Sequence, residues 1–250
     1  MLRRSIGPVL FSVGVAVILS VAGPAPESLA REDTTCYPKI DIHGINYVVG
    51  YGSLMDAGSK KRSWPKSAGD RPASIQGFER AWNTHGASVG VSTTFLGVTR
   101  QAGAEMAAAL YRVGDTVSFA AGDAREAPYC RVRVPPEQIS MLDGSVTPSD
   151  GDIWIYIVRA DHLRLPDAKF PIVQSYVDIF LNGCIELAKQ VVVKDLDFIA
   201  ACIKTTKAWS THWVNDRLYP RRPYDEPNAF VIDKLLNRML PKEFNAIRIE

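Results

Sequence analysis

An apolar run that breaks abruptly into glycines constrains the fold of this chain more than any other feature. Residues 45–50 read Ile-Asn-Tyr-Val-Val-Gly, and the chain continues with Tyr51, Gly52, Ser53 and Leu54. Such a run predicts a buried strand, and the glycines after it predict a tight turn. Because glycine permits a close approach to the backbone, this turn can offer several N–H groups to the oxygens of a ligand.

Glycines after a buried strand also occur in three other settings. A dinucleotide-binding fingerprint needs a third glycine where Met55 stands, and a helix directly after it. Gly58-Ser-Lys-Lys-Arg-Ser-Trp-Pro65 is a poor helix start, which disfavours that fold. A nucleophile elbow is absent because Ser53 is followed by Leu54 and Met55 rather than by a glycine two residues on. An ordinary tight turn without a ligand stays open on these residues alone.

The N-terminal segment is typical of an export signal. Arg3 and Arg4 precede an uncharged apolar region over residues 6–22, and Ser28-Leu29-Ala30 places small residues at a cleavage site. An uncleaved membrane anchor is the alternative, since the apolar region approaches the shortest length that spans a bilayer. Cleavage predicts a mature chain that begins near Arg31, is periplasmic or secreted, and has no stable membrane insertion.

Net charge and cysteine content limit the kinds of ligand, metal site and disulfide that the chain can have. The formal net charge is +2, and Lys60-Lys61-Arg62 is only a short basic run, so nucleic-acid binding is not expected. The scattered histidines and the absence of a Cys-x-x-Cys pair predict no metal site. Four cysteines allow three disulfide pairings in an exported protein, at positions Cys36, Cys130, Cys184 and Cys202. Cys184 and Cys202 lie on the apolar faces of two consecutive predicted helices, which makes them a candidate pair if those helices pack antiparallel.

Hydrophobic periodicity divides the chain into a strand-rich part and a helical part. Residues 45–160 predict a series of strands, over 45–50, 74–83, 88–99, 105–113, 129–134 and 153–158, with a turn at Gln101–Ala104 and a short helix over 116–122. After Pro166 the pattern becomes helical, with a stripe from Pro171 to Leu187, a second helix capped by Asp195, and a third capped by Asn228. The stretch 213–227 is expected to be mostly loop. The sequence therefore predicts an α+β fold.

A second group of residues carries the candidate chemistry. Asp123-Ala-Arg-Glu126 precedes a predicted strand that opens at Tyr129, and Tyr176 on a later helix is followed seven residues on by Gly183 and Cys184. A single carboxylate such as Glu126, facing a Gly-Ser turn, suffices to move a proton. Taken alone, Glu126 also fits an exposed charge at a strand entrance, and Tyr176 also fits a core aromatic residue.

Together the Tyr51-Gly-Ser-Leu54 turn, the Asp123–Glu126 segment and the Tyr176–Gly183 spacing resemble the gamma-glutamylcyclotransferase-like family, which includes the ChaC-type enzymes. The resemblance covers roughly residues 45–190. It implies a small, largely antiparallel β-barrel with flanking helices, here preceded by a tail over 31–44 and followed by a C-terminal helical extension over 191–250.

The resemblance also implies a function. An enzyme of this type cyclises a small γ-glutamyl compound to 5-oxoproline and releases its amine, with Glu126 as general acid and base and without a cofactor. Substrate contacts are implied for Tyr51, Gly52, Ser53, Leu54, Tyr129 and Tyr176. A non-catalytic envelope module that binds small acidic or amide ligands stays open, as does a protein whose helical tail binds another chain. The oligomeric state is not predicted.

We expect export to remove residues 1–30, because the charged start, apolar region and small residues match the signal peptidase pattern. Intact mass spectrometry of protein recovered from the cell envelope should give an N-terminus near Arg31. Recovery of a chain that keeps Met1 in the membrane fraction would show an anchor instead.

Overall fold

The computed structural model describes residues 36–41, 43–62, 64–88, 91–114, 119, 122–123, 128–222 and 228–250. These belong to a single compact unit that spans residues 35–250. The predicted α+β class is confirmed, since the described residues form a seven-stranded sheet, a smaller three-stranded sheet and several helices. The predicted signal segment lies outside the described residues, as does most of the predicted 116–122 helix.

Two long strands form one bent hairpin at the centre of the larger sheet. Strand β2 spans Ala68–Ser88 and β3 spans Val91–Val113. The residues of β2 that are completely inaccessible to solvent alternate as expected for a strand, but their phase changes across Gly77, from Ala73 and Ile75 before it to Phe78, Arg80 and Trp82 after it. The change of phase marks a β-bulge, at which the hairpin bends.

The predicted turn over Gln101–Ala104 is wrong, because these residues continue β3. Gln76 pairs with Glu105 and Phe78 pairs with Arg100, so four residues of β3 stand opposite the single residue Gly77. Gly103 has a φ of +77° and Gly77 a φ of +81°, values that glycine adopts without steric cost. The small and glycine residues that suggested a turn therefore serve a bend within a continuous strand.

The first strand occupies the middle of the larger sheet. Strand β1, Ile45–Gly50, lies antiparallel to β3 and parallel to β6, which spans Gly151–Val158. The outer strands are β4, Tyr129–Arg133, beside β6, and β5, Ile139–Met141, beside β2. A two-residue strand, β8 at Thr206–Lys207, also pairs with β2. Because β1 is central, the turn that follows it emerges from the middle of the sheet.

A closed barrel is not confirmed. The strand order runs β4-β6-β1-β3-β2-β5, and within the described residues its two ends do not pair. Four of the six pairings in this sheet are antiparallel and two are parallel, the pairings of β1 with β6 and of β2 with β8. The sheet is open where the resemblance implied closure.

Helices from the second half of the chain cover one face of this sheet. They are α2, Gln174–Ala188, α3, Phe198–Lys204, and α4, Ala229–Met239. The described residues also form two short helices, α1, Ala57–Lys61, and α5, Pro241–Phe244. The smaller sheet joins β7, Ile172–Val173, to β9, Trp213–Asn215, and β9 to β10, Arg248–Ile249, all parallel.

Three helix starts differ from the prediction in detail. Helix α2 begins at Gln174 because Ile172 and Val173 pair with β9. Helix α3 is capped by Asp197, whose carboxylate accepts a hydrogen bond from the Ala200 N–H at 2.9 Å. Asp195 instead lies outside the helix with a φ of +61°. Asn228 is the residue before α4 as predicted, but its side chain donates to Asn182 rather than to the helix.

The largest hydrophobic cluster unites the two halves of the chain. It joins Trp82 and Leu96 of the hairpin to Phe180 of α2, Phe198 of α3 and Leu236 of α4, all nearly or fully buried. A second cluster, around Ile75, Val98 and Ile155, is formed by side chains from the strands of the larger sheet. The residues after 190 thus pack on the same core as the hairpin, although the predicted domain boundaries stay a prediction.

Two disulfides join distant parts of the chain. The predicted Cys184–Cys202 pair is confirmed and links α2 to α3, with Cα atoms 6.6 Å apart. The second disulfide, Cys36–Cys130, ties the segment before β1 to β4 across a sequence separation of 94 residues. The Tyr37 hydroxyl donates to the Tyr129 carbonyl at 2.6 Å and strengthens the same attachment.

We expect the double variant Cys184→Ala/Cys202→Ala to lose about 3 kcal/mol of unfolding free energy, the loop-closure value for a crosslink over a loop of roughly this length. Urea denaturation of the oxidised proteins measures it. The variant should keep the Cys36–Cys130 bond, which peptide mapping without reduction will check. An unchanged urea midpoint, or free thiols at these positions in the wild-type protein, would contradict the expectation.

Candidate functional site

The predicted substrate-contact residues meet around one cavity, although they lie far apart in the sequence. The cavity opens where the chain leaves β1, and residues of β3, β4, β6 and α2 form its other walls. Its lining consists of Tyr51, Gly52, Ser53, Leu54, Leu96, Tyr129, Tyr156 and Tyr176. All six residues predicted as substrate contacts are among them.

The turn after β1 is compact because its backbone folds back on itself. Ser53–Met55 forms one 3-10 turn, closed by a hydrogen bond from the Met55 N–H to the Gly52 carbonyl at 3.0 Å. A Cβ on Gly50 would lie 2.8 Å from the Leu54 carbonyl oxygen, so glycine is needed there. The opening residues of a helical turn carry N–H groups that have no acceptor inside the turn. The backbone of Ser53 and Leu54 therefore supplies donors at the cavity wall.

Helix α2 approaches this turn closely through glycine. A Cβ on Gly183 would lie 2.5 Å from the Met55 carbonyl carbon and 2.6 Å from the Asp56 nitrogen, distances that no side chain tolerates. One face of the helix thus carries Gly183 against the turn, and two turns earlier Tyr176 against the cavity. The Tyr176 hydroxyl lies 2.7 Å from the position of a Cβ on Gly52. The spacing between Tyr176 and Gly183 therefore lets α2 contact the turn at two points, through the Gly183 backbone and through the Tyr176 hydroxyl.

Polar contacts fix the same helix to the turn. The Asp56 carboxylate caps α1 by accepting from the Ser59 N–H at 2.6 Å, and its other oxygen accepts from the Asn182 amide at 2.8 Å. The Asn228 amide in turn donates to the Asn182 carbonyl oxygen at 2.5 Å. Asp56 and Asn182 are both buried, so breaking this chain would leave polar groups without water. Several independent contacts therefore fix the position of α2 against the turn.

A buried arginine from the hairpin also binds the turn. Arg80, from the centre of β2, is completely inaccessible to solvent and donates to three backbone carbonyls, those of Tyr51 at 3.1 Å, Ala107 at 2.7 Å and Cys202 at 2.7 Å. Burial lowers the pKa of its guanidinium. Its side chain also donates to the hydroxyls of Thr205 and Thr206. One cation thus joins the turn, the hairpin and the end of α3.

The Asp123 end of the second motif is fixed beside the cavity. The Asp123 carboxylate accepts from the Tyr156 hydroxyl at 2.7 Å and from two nitrogens of Arg131 at 3.0 and 3.1 Å. Tyr156 and Tyr129 both line the cavity. Glu126, the predicted general acid and base, lies outside the described residues.

Two hydroxyl groups of the cavity wall bind to the backbone of the sheet. The Tyr51 hydroxyl donates to the Tyr156 carbonyl at 2.7 Å, and the Tyr129 hydroxyl donates to the Leu96 carbonyl at 3.3 Å. These bonds join strands β1, β6, β4 and β3 around the cavity. Tyr51, Tyr129 and Tyr156 therefore form a polar and aromatic wall attached to the sheet, and Tyr176 adds to it from α2.

Within the ranges that the structure covers, no group of three or more His, Cys, Asp or Glu side chains is arranged to hold a metal ion. Over the same ranges, no helix has the length and apolar character needed to cross a membrane.

Comparisons with known proteins identify the fold. No family model matches the chain, and no curated protein matches its sequence. Among solved structures, one described as "Gamma-glutamyl cyclotransferase" superimposes with a TM-score of 0.50 and 13% identity, over 75% of this chain and 98% of that one. The fold is that of a gamma-glutamyl cyclotransferase.

Two further structures match less closely. The uncharacterized protein loc79017 from Homo sapiens matches at a TM-score of 0.48 and 13% identity, over 65% of this chain and 89% of its own. A yeast gamma-glutamyl cyclotransferase specific to glutathione matches at a TM-score of 0.43 and 13% identity, over 65% of this chain and 96% of its own. Only the first comparison is close enough to support the fold.

Three residues at this site were not predicted from the sequence. Leu96 and Tyr156 line the cavity, and Arg80 holds the turn. Leu96 and Tyr156 look like ordinary alternating strand residues, so nothing in their sequence context marks them. Arg80 offered a signal, because it occupies a position that alternation assigns to the buried face together with Phe78 and Trp82.

We expect Gly183→Ala to destabilise the protein by about 1–3 kcal/mol, because the added methyl group must push α2 away from the backbone of Met55 and Asp56. Urea denaturation checks the loss. Gly58→Ala is a matched control, since the nearest atom to its new Cβ is a carboxylate oxygen 3.3 Å away and α1 gains a better helix former. Equal stability of the two variants would contradict the close approach of α2.

Proposed function

We propose that the protein is an exported enzyme that cyclises γ-glutamyl compounds, releasing 5-oxoproline and an amine. The main support is the convergence of Tyr51–Leu54, Tyr129 and Tyr176 on one cavity within a gamma-glutamyl cyclotransferase-like fold. These residues come from three separate parts of the sequence. An ordinary tight turn, the alternative interpretation of the glycines, gives no reason for the other two parts to meet it.

Connectivity supports Glu126 as the acid and base. It lies three residues after Asp123, whose carboxylate is bound by Tyr156 and Arg131, and three residues before Tyr129. Three residues of fully extended chain span only about 10 Å. This short connection to contacts at the cavity wall on both sides supports the proposed role of Glu126.

The proposed reaction is an internal displacement. The α-amine nitrogen of the substrate attacks its own γ-carbonyl carbon, so the ring C–N bond forms and the original amide C–N bond breaks. Glu126 accepts a proton from the attacking amine and returns it to the departing nitrogen. Because nucleophile and electrophile belong to one molecule, holding the folded conformer can contribute about 7–11 kcal/mol of the barrier reduction. This chemistry calls for a shaped cavity more than for reactive side chains.

The turn supplies the matching electrostatics. Backbone N–H groups of Gly52, Ser53 and Leu54 are suited to hold the substrate α-carboxylate or to polarise the γ-carbonyl. The contacts of Arg80 and Gly183 on either side of the turn keep these donors from moving when the charge on the substrate changes. Preorganised donors of this kind need no rearrangement during the reaction.

Export is part of the proposal. The predicted signal segment motivates it, and two disulfides fit a protein that works in an oxidising compartment. The substrates would then be γ-glutamyl compounds available outside the cytoplasm.

We expect Glu126→Gln to lower kcat by at least about 10²–10⁴-fold, because the amide keeps the shape of the side chain but accepts no proton. Release of 5-oxoproline from γ-glutamyl dipeptides, γ-glutamyl amines and glutathione measures turnover, and calorimetric titration with 5-oxoproline measures binding, which should persist. Gly52→Val is the contrasting variant, because its side chain would meet the Tyr176 hydroxyl and weaken binding first.

Two outcomes would count against this function. Wild-type turnover by the Glu126→Gln variant would remove Glu126 from the mechanism. Binding of γ-glutamyl compounds by the wild-type protein without any 5-oxoproline would favour the non-catalytic binding module.

A further inference from the structure

We propose that the Cys36–Cys130 disulfide is a positioning element of the site: it fixes one wall of the cavity, so that its reduction weakens the binding of γ-glutamyl compounds in a protein that stays folded. This inference rests on the proposed function and adds a dependence on oxidation to it. Cys36 precedes the part of the chain that the resemblance covers, so the motifs give no reason for its presence.

Strand β4 is an outer strand of the larger sheet and carries a residue of the cavity wall. Among the described strands, only β6 pairs with β4. Tyr129, which lines the cavity, is the first residue of β4. Outer strands and strand ends open more easily than central strands, because fewer contacts hold them. Contacts that hold the first residues of β4 therefore also hold the cavity wall.

Three consecutive residues before β1 hold the first three residues of β4. Cys36 is bonded to Cys130, the Tyr37 hydroxyl donates to the Tyr129 carbonyl at 2.6 Å, and the Pro38 carbonyl accepts from the Arg131 guanidinium at 3.0 Å. Each residue of the segment Cys36–Pro38 thus contacts a different residue of the strand.

Arg131 extends these contacts to a second residue of the cavity wall. Its side chain is only 2% exposed and binds the Asp123 carboxylate through two nitrogens, at 3.0 and 3.1 Å. The same carboxylate accepts from the hydroxyl of Tyr156, which lines the cavity. A buried cation that loses an acceptor is destabilised where it lies. Release of the Pro38 carbonyl therefore disturbs Arg131 together with the groups that it positions.

The disulfide is the covalent part of this attachment. Tyr37 has a φ of +60°, a left-handed conformation that costs free energy for a residue with a bulky side chain and persists where other contacts hold it. Within the described residues, the chain before β1 forms no helix or strand. Without the disulfide, hydrogen bonds alone must hold a strained backbone against β4. Reduction therefore allows the segment Cys36–Pro38 to relax away from the strand.

This disulfide is also the more accessible of the two. Cys36 and Cys130 are half-buried, whereas Cys184 and Cys202 are completely inaccessible to solvent. A thiolate must reach a sulfur atom before exchange can occur, so the accessible bond reacts first. A dithiol reductant supplies two electrons and two protons, becomes a disulfide itself and leaves two thiols in the protein.

The expected consequence is that the site is complete only in an oxidising compartment. Glutathione, which keeps cytosolic thiols reduced, is itself a γ-glutamyl compound. Before export the bond stays open and the affinity for such compounds stays low, whereas after export the bond closes and the cavity wall is fixed. The enzyme would then act on γ-glutamyl compounds mainly outside the cytoplasm.

The test treats the mature oxidised protein briefly with dithiothreitol and uses γ-glutamyl-alanine, a substrate without a thiol. Peptide mapping should find free thiols at Cys36 and Cys130 and an intact Cys184–Cys202 bond, while circular dichroism shows a folded protein. KM should rise on the order of 10- to 100-fold, as for a small displacement of part of a site, and reoxidation should restore it. A merely structural role would lower the fraction of active protein, which reduces kcat and leaves KM unchanged.

Two variants separate this role from side effects of the reductant. Cys36→Ser/Cys130→Ser should raise KM without reductant and show no further response to it. Lys39→Ala is the matched control, because it alters an exposed side chain of the same segment and should leave both KM and its response to reductant unchanged. An unchanged KM after selective reduction, or opening of Cys184–Cys202 before Cys36–Cys130, would overturn the proposal.

Hydrogen exchange gives a measurement that does not depend on turnover. Reduction should speed the exchange of amides in β4 and leave that of the central strand β1 unchanged. Failure of the oxidised wild-type protein to make 5-oxoproline would refute the catalytic proposal. Unchanged exchange in β4 after reduction would refute only the role of the disulfide, whether or not the protein is active.

Discussion

The buried charge of Arg80 is the constraint on which the rest of the structure depends. A cation without solvent must find several acceptors, since its desolvation costs far more than any one hydrogen bond returns. The Tyr51, Ala107 and Cys202 carbonyls supply them from the turn, the hairpin and the end of α3. Loss of any of these three elements would leave a buried cation short of acceptors. The turn and the C-terminal helices therefore share one buried cation, which makes the extension part of the site's framework.

Helix α2 connects these buried contacts to the cavity. Gly183 allows backbone contact with the turn, the Cys184–Cys202 bond fixes the next residue to α3, and Tyr176 reaches the cavity from the same helix. A side chain at the cavity wall is thus positioned through a glycine and a crosslink two helical turns away. Such rigidity fits the proposed reaction, in which catalysis would consist mostly of holding one conformer of the substrate.

The sequence predicted those features that depend on local pattern. Alternation and helical periodicity identified the α+β class, the strand before the turn and the apolar faces that bring Cys184 and Cys202 together. It did not predict that Gln101–Ala104 continues β3, because a bulge opposite Gly77 depends on pairing between distant residues. The Cys36–Cys130 bond could not be predicted either, since the segment before β1 has no periodic pattern that would place it beside β4. Leu96 and Tyr156 lie at the cavity because of the register between strands, which their local sequence does not indicate.

The first turn of α2 is where the fold and the extension meet. Ser175 binds Asp216 of the extension, and the next residue, Tyr176, faces the cavity. Changes in the segment after Asp216 can therefore alter what lies outside the cavity while the turn, held by Arg80 and Gly183, keeps its geometry. The residues that line the cavity and the segment that is bound to the first turn of α2 therefore belong to different parts of the chain, and Ser175 is a contact between them.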